Sequence, residues 1–251
     1  MKIAVAGGTG TAGHHVVTTA RARGHEVVVL TRSTGIDLTT GDGLATALAG
    51  VDVVVDAASV QTQSAKASRE FFSSVTGNLL TAEKDAGVAH HIALSIVGSD
   101  LAPFGYYAGK ALQEQRVEAC PIPWTILRAT QFHEFARQIF GQFKVGPFAL
   151  VPKMFSQPVA AREVGERLVD LAERAPAGHA PDLAGPEVLR MADMVRAYAS
   201  AAGTPARILE LPLPGGFGKA LRDGTVTARA GADLGVQTYA QWVEEVRRAR
   251  P

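Results

Sequence analysis

Tyr106 and Lys110 stand four residues apart in Tyr106-Tyr107-Ala108-Gly109-Lys110, inside a stretch that reads as a helix. That spacing puts both side chains on one helix face. A phenol titrates near 10, and a nearby ammonium favours the phenolate, so the pair can exchange a proton with a carbonyl oxygen at neutral pH. Ser95, at the end of a strand-like run, can donate to the same oxygen. Tyr107 follows directly, so one of the two tyrosines can be a core side chain instead. A proton-exchanging group of this kind works beside a cofactor that carries the hydride.

The residues for such a cofactor are at the start of the chain. Ile3-Ala4-Val5-Ala6 reads as a buried strand and runs into Gly7-Gly8-Thr9-Gly10-Thr11-Ala12-Gly13, after which a helix opens. The first glycine permits the tight turn, the middle one lets a pyrophosphate approach the backbone, and the third brings helix against strand. Freed N–H groups at a helix start favour phosphate, so Gly7, Thr9, Gly10, Thr11, Ala12 and Gly13 are candidate dinucleotide contacts. The end of the second strand chooses between dinucleotides. A site for an unphosphorylated ribose usually carries Asp or Glu there, whereas this chain has Leu30-Thr31-Arg32-Ser33-Thr34. Arg32 and its hydroxyl neighbours suit a 2′-phosphate, so NADP(H) is favoured over NAD(H).

The elements that position these groups alternate short β-branched runs with amphipathic stretches, the rhythm of βαβ units. Strands are expected at 2–6, 27–30, 51–56, 91–96 and 124–127, with helices at about 11–23, 44–49, 69–85 and 107–119. After Arg128 the rhythm breaks at Gly146, Pro147, Pro152 and Pro158. Helices are expected again at 161–174, 191–202 and 239–248, and 207–211 can form a strand. The fold class is thus α/β, a doubly wound parallel Rossmann sheet in residues 1–130. A smaller C-terminal lobe, 131–251, is expected to pack over the carboxyl ends of the strands and complete the substrate pocket.

Composition narrows the partners. The 251 residues are 47% hydrophobic with a formal net charge of +1, which offers no basic surface for nucleic acid. Cys120 is the only cysteine, so no intrachain disulfide can form. No apolar run approaches the ~20 residues of a membrane helix, and the expectation is a cytoplasmic protein with no membrane partner. His14-His15 reads as helix surface and cap. His90-His91 lacks further ligands at metal spacing, so no metal is expected.

The glycine loop, Thr31-Arg32, Val51–Ala58, Leu94-Ser95-Ile96-Val97-Gly98, Tyr106–Lys110 and Leu127-Arg128-Ala129-Thr130-Gln131-Phe132 together resemble the NmrA-like atypical short-chain dehydrogenase/reductases. Gln157-Pro158-Val159 and Asp182–Pro186 extend the resemblance across nearly the whole chain. The resemblance implies that Asp37 lies near the adenine, that Ala57, Ala58 and Ser59 border the cofactor, and that Ala129, Thr130 and Phe132 border the nicotinamide. It also places Lys110 at the nicotinamide ribose and Ser95 ahead of the catalytic Tyr106.

The segment after Leu127 concentrates Phe132, Phe135, Phe140, Phe143, Phe148 and Phe155. These either fill a core or line an apolar pocket for a quinone or aromatic carbonyl, with Gln131, His133 and Phe135 as candidate substrate contacts. His133-Glu134 reads equally as a hydrogen-bonded structural pair. The expected activity is reduction of a carbonyl, quinone or related conjugated small molecule by NADP(H). Two other readings stay open. One is a non-enzymatic dinucleotide sensor, since many NmrA-like proteins lack the tyrosine that this chain keeps. The other is a sugar-nucleotide epimerase, which would use the same tyrosine and retain its cofactor.

Overall fold

The computed structural model describes residues 1–249. Its first half runs β1 (Lys2–Ala6), α1 (Gly13–Ala22), β2 (Glu26–Leu30), α2 (Leu44–Ala47), β3 (Val53–Asp56), α3 (Ala65–Ala86), β4 (His90–Ile96), α4 (Tyr106–Glu118) and β5 (Trp124–Ala129). There follow α5 (Phe135–Phe143), β6 (Lys144–Val145), β7 (Phe148–Pro152), β8 (Phe155–Ser156), α6 (Ala161–Ala172), β9 (Gly178–His179) and β10 (Leu183–Ala184). The chain continues with β11 (Leu189–Arg190), α7 (Met191–Ala201), β12 (Arg207–Leu211), α8 (Gly215–Arg222), β13 (Asp233–Leu234) and α9 (Tyr239–Arg248). Among the described residues no helix is long and apolar enough to cross a membrane.

The chain divides into two compact units. The first holds Met1–Arg128 and Arg162–Pro181; the second holds Ala129–Ala161 and the residues from Asp182 on. The expected C-terminal lobe takes in everything after residue 130, but residues 162–181 cluster with the first unit. The cause is local. Gly165 of α6 lies so close to α1 that a Cβ there would sit 2.5 Å from that of His15. β9 meanwhile adds to the sheet beside β5, with Thr125 opposite Gly178.

The sheet of the first unit has the order β2-β1-β3-β4-β5-β9 and is parallel, as a Rossmann fold requires. Parallel strands covered on both faces must be apolar throughout, and Val53–Val55 and Ile3–Ala6 are at most 5% exposed. The strand order reverses about β1, with β2 on one side and β3 on the other. That reversal opens a crevice at the carboxyl end of β1, where the glycine loop begins. One face is closed by α2 and α3, whose Leu44, Val75 and Leu79 pack with Leu48 against Ala4, Ala6 and Val54. Each fully buried side chain of this kind contributes about 1.5–3 kcal/mol. α3 starts a turn earlier than periodicity suggests, because Ser64 caps it by accepting the Ala67 N–H. It stops at Gly87, whose φ of +72° an L side chain rarely adopts.

The second unit is built from shorter pieces. β7 pairs in parallel with β12 and antiparallel with β6, and β8 pairs antiparallel with β11. β10 joins Ala129 on one side and β13 on the other. The core between α5, α7 and α9 is aromatic: His133, Phe140, Tyr198, Tyr239 and Trp242 stand in ring contact, with centroids 5.5 to 6.1 Å apart.

Candidate cofactor and catalytic site

The glycine loop carries two different demands. Gly7 adopts φ +71°, and a Cβ there would lie 2.6 Å from the Ala57 carbonyl oxygen. At Gly13 a Cβ would lie 2.1 Å from the Gly7 oxygen. These two glycines let loop, strand and helix close on one another. Gly10 differs. Its N–H donates to the Gly7 carbonyl at 2.9 Å, and a Cβ would meet only that oxygen, at 3.2 Å. Thr9, Gly10 and Thr11 are exposed. The cap position of α1 is Ala12, which has no side-chain oxygen to satisfy the first N–H groups, and the first turn holds no acidic residue. A helix start with no side-chain cap and no acidic residue, beside an exposed glycine, suits a pyrophosphate, so these residues fit a dinucleotide.

At the end of β2, Thr31 caps a short 3-10 turn, Arg32–Thr34, with its hydroxyl 2.8 Å from Ser33 Oγ. The Arg32 side chain is exposed. Asp37 accepts from the Thr39 backbone N–H at 2.8 Å and from the Thr39 hydroxyl at 2.6 Å. Those bonds, the hydroxyl first, hold its carboxyl below the usual range, with Arg32 assisting. Asp37 thus closes its own turn.

Ala57, Ala58 and Ser59 leave the end of β3 beside the glycine loop. Ser59 is exposed, and its hydroxyl lies 3.0 Å from the Tyr106 phenol oxygen. That partnership is not legible in the sequence, which points to Ser95 beside the tyrosine. Ser95 Oγ is buried and has no hydrogen-bond partner among the described residues. The signal that finds Ser59 is topological: β3 and β4 are neighbours, so the loop after β3 adjoins the helix after β4. Tyr106 is half-buried, whereas Tyr107 is 7% exposed, a core side chain. The Ser68 hydroxyl donates to the Tyr106 carbonyl at 2.8 Å and fixes the first turn of α4 against α3.

Lys110 is 4% exposed. Its ammonium donates to the Leu94 carbonyl at 2.7 Å and to Gln113 Oε1 at 2.9 Å, and sits 4.3 Å from the centre of the Phe72 ring. Burial pulls it down to about 8, against the opposing pull of Asp56 and Glu114. Burial likewise pushes the Tyr106 phenol well above its ordinary value, the Ser59 hydrogen bond opposing. The expectation that the ammonium acidifies the phenol is thereby corrected. Without direct coupling to Lys110, the desolvated phenol keeps its proton.

A second network secures the β4–α4 loop. Arg128 reaches Glu114 through both Nε and Nη2, at 3.0 and 2.6 Å, and Asp100 at 3.1 Å, while Ser99 donates to Glu114 at 3.0 Å. These groups tie the loop preceding Tyr106 to β5 and α4.

The remaining candidates lie in the second unit. Thr130 is buried, its hydroxyl donating to the Gln157 carbonyl at 2.5 Å and its N–H to Leu183 at 2.9 Å. Ala129 pairs with Leu183, and Phe132 bridges to Val159. Gln131 accepts from Ser156 at 2.9 Å and donates to the Val226 carbonyl at 3.3 Å. His133 is fully buried, with Nε2 3.3 Å from the Gln237 carbonyl, and burial pushes it down to about 4. Phe135 is the half-buried first residue of α5. Gln131 thus spends its polar atoms inside this unit, whereas His133 Nδ1 is buried with no hydrogen-bond partner among the described residues. His91 and Glu83, both fully buried, form an ion pair at 2.9 Å, and His14 Nδ1 lies 2.9 Å from the Gly10 carbonyl.

Comparison with known proteins bears on the family and the fold. A family model described as NAD(P)H-binding matches residues 7–171, well over half of the chain. The chain belongs to that family, and its fold is a Rossmann fold. No curated protein matches it in sequence. A UDP-glucose 4-epimerase from Stenotrophomonas maltophila, with bound NAD and formylated UDP-arabinopyranose, is similar over 99% of this chain and 97% of its own. The identity is 15% and the TM-score 0.74. The NAD complex of the Thermus thermophilus UDP-glucose 4-epimerase covers both chains completely, at 20% identity and TM-score 0.69. A short-chain dehydrogenase/reductase superfamily protein from Agrobacterium tumefaciens with bound NAD covers 99% of this chain and 97% of its own. It is 17% identical, with a TM-score of 0.70. At these identities the likeness is one of fold.

Proposed function

We propose that the protein is an NADP(H)-dependent reductase of the NmrA-like branch, acting on a carbonyl, quinone or related conjugated small molecule. The observation that carries this reading is the Tyr106 phenol, 3.0 Å from an exposed serine in the loop that adjoins Gly7. Reduction of a carbonyl needs an acid, and the Tyr106 phenol carries a proton with the Ser59 hydroxyl beside it. The bound dinucleotide would supply the hydride. Tyr106 would then donate its proton to the oxygen that gains the negative charge, and Ser59, open to water, would return one to the phenoxide. Gly10 and the uncapped start of α1 would hold the pyrophosphate. Arg32 with Thr31 and Ser33 would hold a 2′-phosphate, which favours NADP(H). Gln131, His133 and Phe135 are the proposed substrate-side residues; Gln131 would act through the shape it holds, its polar atoms being bonded to Ser156 and Val226.

The test is a panel of quinones, enones and ketones with purified protein, followed by NADPH absorbance. Consumption that requires both acceptor and protein supports the reading. Tight NADPH binding with no turnover on any acceptor would instead make this a dinucleotide-responsive binding protein.

A further inference from the structure

Two side chains that the proposed reaction does not use directly form a chain ending at Lys110. Asp56, the last residue of β3, is fully buried and accepts the Ala58 N–H at 3.0 Å through one oxygen. Its other oxygen accepts from Gln113 Nε2 at 2.8 Å. Gln113, also fully buried, turns its own oxygen to the Lys110 ammonium at 2.9 Å. A buried carboxylate and a buried ammonium are therefore joined through one oriented amide, with no direct ion pair. Isolated, either charge would be costly at such depth. Joined, donor and acceptor are matched along the whole line.

We propose that Asp56 and Gln113 are positioning residues for Lys110: the carboxylate fixes which end of the Gln113 amide faces the lysine, and that amide, with the Leu94 carbonyl, holds the ammonium in place and charged. The inference rests on the reading of Lys110 as part of the dinucleotide site. The alternative is that Asp56 and Gln113 merely fill and satisfy the core. The surroundings favour a relay. Glu114 on α4 is the other carboxylate acting on Lys110. His91 on β4 acts on the Asp56 side and is held by Glu83 of α3, while Phe72 and Ser68 of α3 are uncharged. Asp56 is therefore the carboxylate connected to the lysine by an unbroken line of hydrogen bonds.

The relay predicts a specific failure and a specific rescue. In Asp56→Asn the new amide can still accept from Ala58 but offers a donor to Gln113. Gln113 must flip, and its Nε2 then faces the ammonium, donor against donor. In the swap Asp56→Asn with Gln113→Glu, the carboxylate moves one place along the line and accepts from both Lys110 and the new amide at position 56. The first readout is NADPH affinity against pH by calorimetry. With Lys110 at about 8, wild-type affinity declines on the alkaline side of that value. Asp56→Asn moves the decline to lower pH, with a loss of roughly 3- to 10-fold at pH 8, and the swap restores it.

The second readout needs no cofactor. Unfolded lysine titrates near 10.5, so this group adds stability as pH rises from about 8 to 10.5. In Asp56→Asn that rise begins at lower pH, and in the swap it returns to the wild-type position. A swap that behaves like Asp56→Asn in both readouts, or an Asp56→Asn variant with unmoved profiles, overturns the relay. If wild type binds NADPH but reduces nothing, the reductase reading falls and both readouts still decide the relay. If it binds no NADPH, the stability profile decides.

Discussion

The two units of this protein solve the same problem, burying polar groups, in opposite ways. The first threads charges through its interior as paired lines: Asp56–Gln113–Lys110, Glu83–His91, and Glu114 with Arg128 and Asp100. The second buries neutral groups, with His133 uncharged among Tyr239 and Trp242 and Gln131 bonded to a serine and a carbonyl. A charged interior is useful where a reaction must hold a cation and an acid a few residues apart. A neutral aromatic interior gives shape. On the proposed reading chemistry falls to the first unit and form to the second, and each of the following measurements can break that division or sharpen it.

The largest effect is expected in the glycine loop. Gly13→Val should prevent folding of the first unit, since even a Cβ would collide with the Gly7 carbonyl. Gly10→Val should still fold, its Cβ meeting only the Gly7 carbonyl oxygen at 3.2 Å, and fail to bind NADPH, because its branched side chain would occupy the space where phosphate must approach. Circular dichroism and calorimetry on the pair separate the two demands. If Gly10→Val keeps wild-type affinity, the pyrophosphate lies elsewhere.

Next come the tyrosines. Tyr106→Phe should lose about 10²–10⁴-fold in single-turnover hydride transfer while keeping NADPH affinity. Tyr107→Phe should leave the chemical step unchanged, because Tyr107 is packed in the core about 100° around the helix. Equal activity in both variants would remove the acid from the first unit.

Arg32→Ala tests dinucleotide choice at the edge of the same unit. Charge-assisted bonds to a phosphate are typically worth about 1.5–3 kcal/mol, or roughly 10- to 150-fold. The variant should lose that much NADPH affinity and little NADH affinity by calorimetry. An unchanged ratio makes Arg32 a surface charge.

The first unit is largely legible from sequence because its signals are local. Gly24 and Gly87 mark helix ends, β-branched runs mark strands, and Gly7–Gly13 combines loop and helix start within seven residues. Apart from the two-residue β9, the differences there are boundary shifts, such as β5 reaching Ala129 rather than Leu127. Spacing finds Tyr106 and Lys110, but not their partners. Ser59 lies 47 residues from Tyr106 and Asp56 lies 57 from Gln113, so only strand order joins them. The second unit hides more. β6, β8, β10, β11 and β13 are two residues each, too short for any alternation. α5 carries Phe135, Ile139, Phe140 and Phe143 at helical spacing, yet the glycine and prolines that follow it read as one long loop. α8 opens on Gly215-Gly216, poor helix formers that propensity places in a turn.

The smallest expected effect concerns acid, and it tests whether the neutral interior is confined to the second unit. Burial pushes His133 down to about 4, and in the first unit it does the same to His90, with His91 adding repulsion. For both, the unfolded chain takes up a proton near 6.5 while the folded chain does not until about 4. Stability is therefore full above pH 6.5 and falls as pH drops through that window. His91 has the opposite sign. Burial lowers it, but its partner Glu83 outweighs burial and raises it, so its contribution is present below 6.5 and is lost as pH climbs through the raised value. Denaturant midpoints from about pH 7.5 to 4.5 should thus decline on acidification. His133→Phe should flatten that decline by about 1–2 kcal/mol at pH 5, less than the full shift because pH 5 still lies above the folded value of about 4, and at the cost of the Gln237 hydrogen bond. His90→Phe should flatten it similarly, at the cost of the Thr125 hydrogen bond. If only His133→Phe flattens the profile, the neutral buried histidine is a property of the second unit alone. If neither does, the two neutral buried histidines do not set the acid sensitivity of either unit.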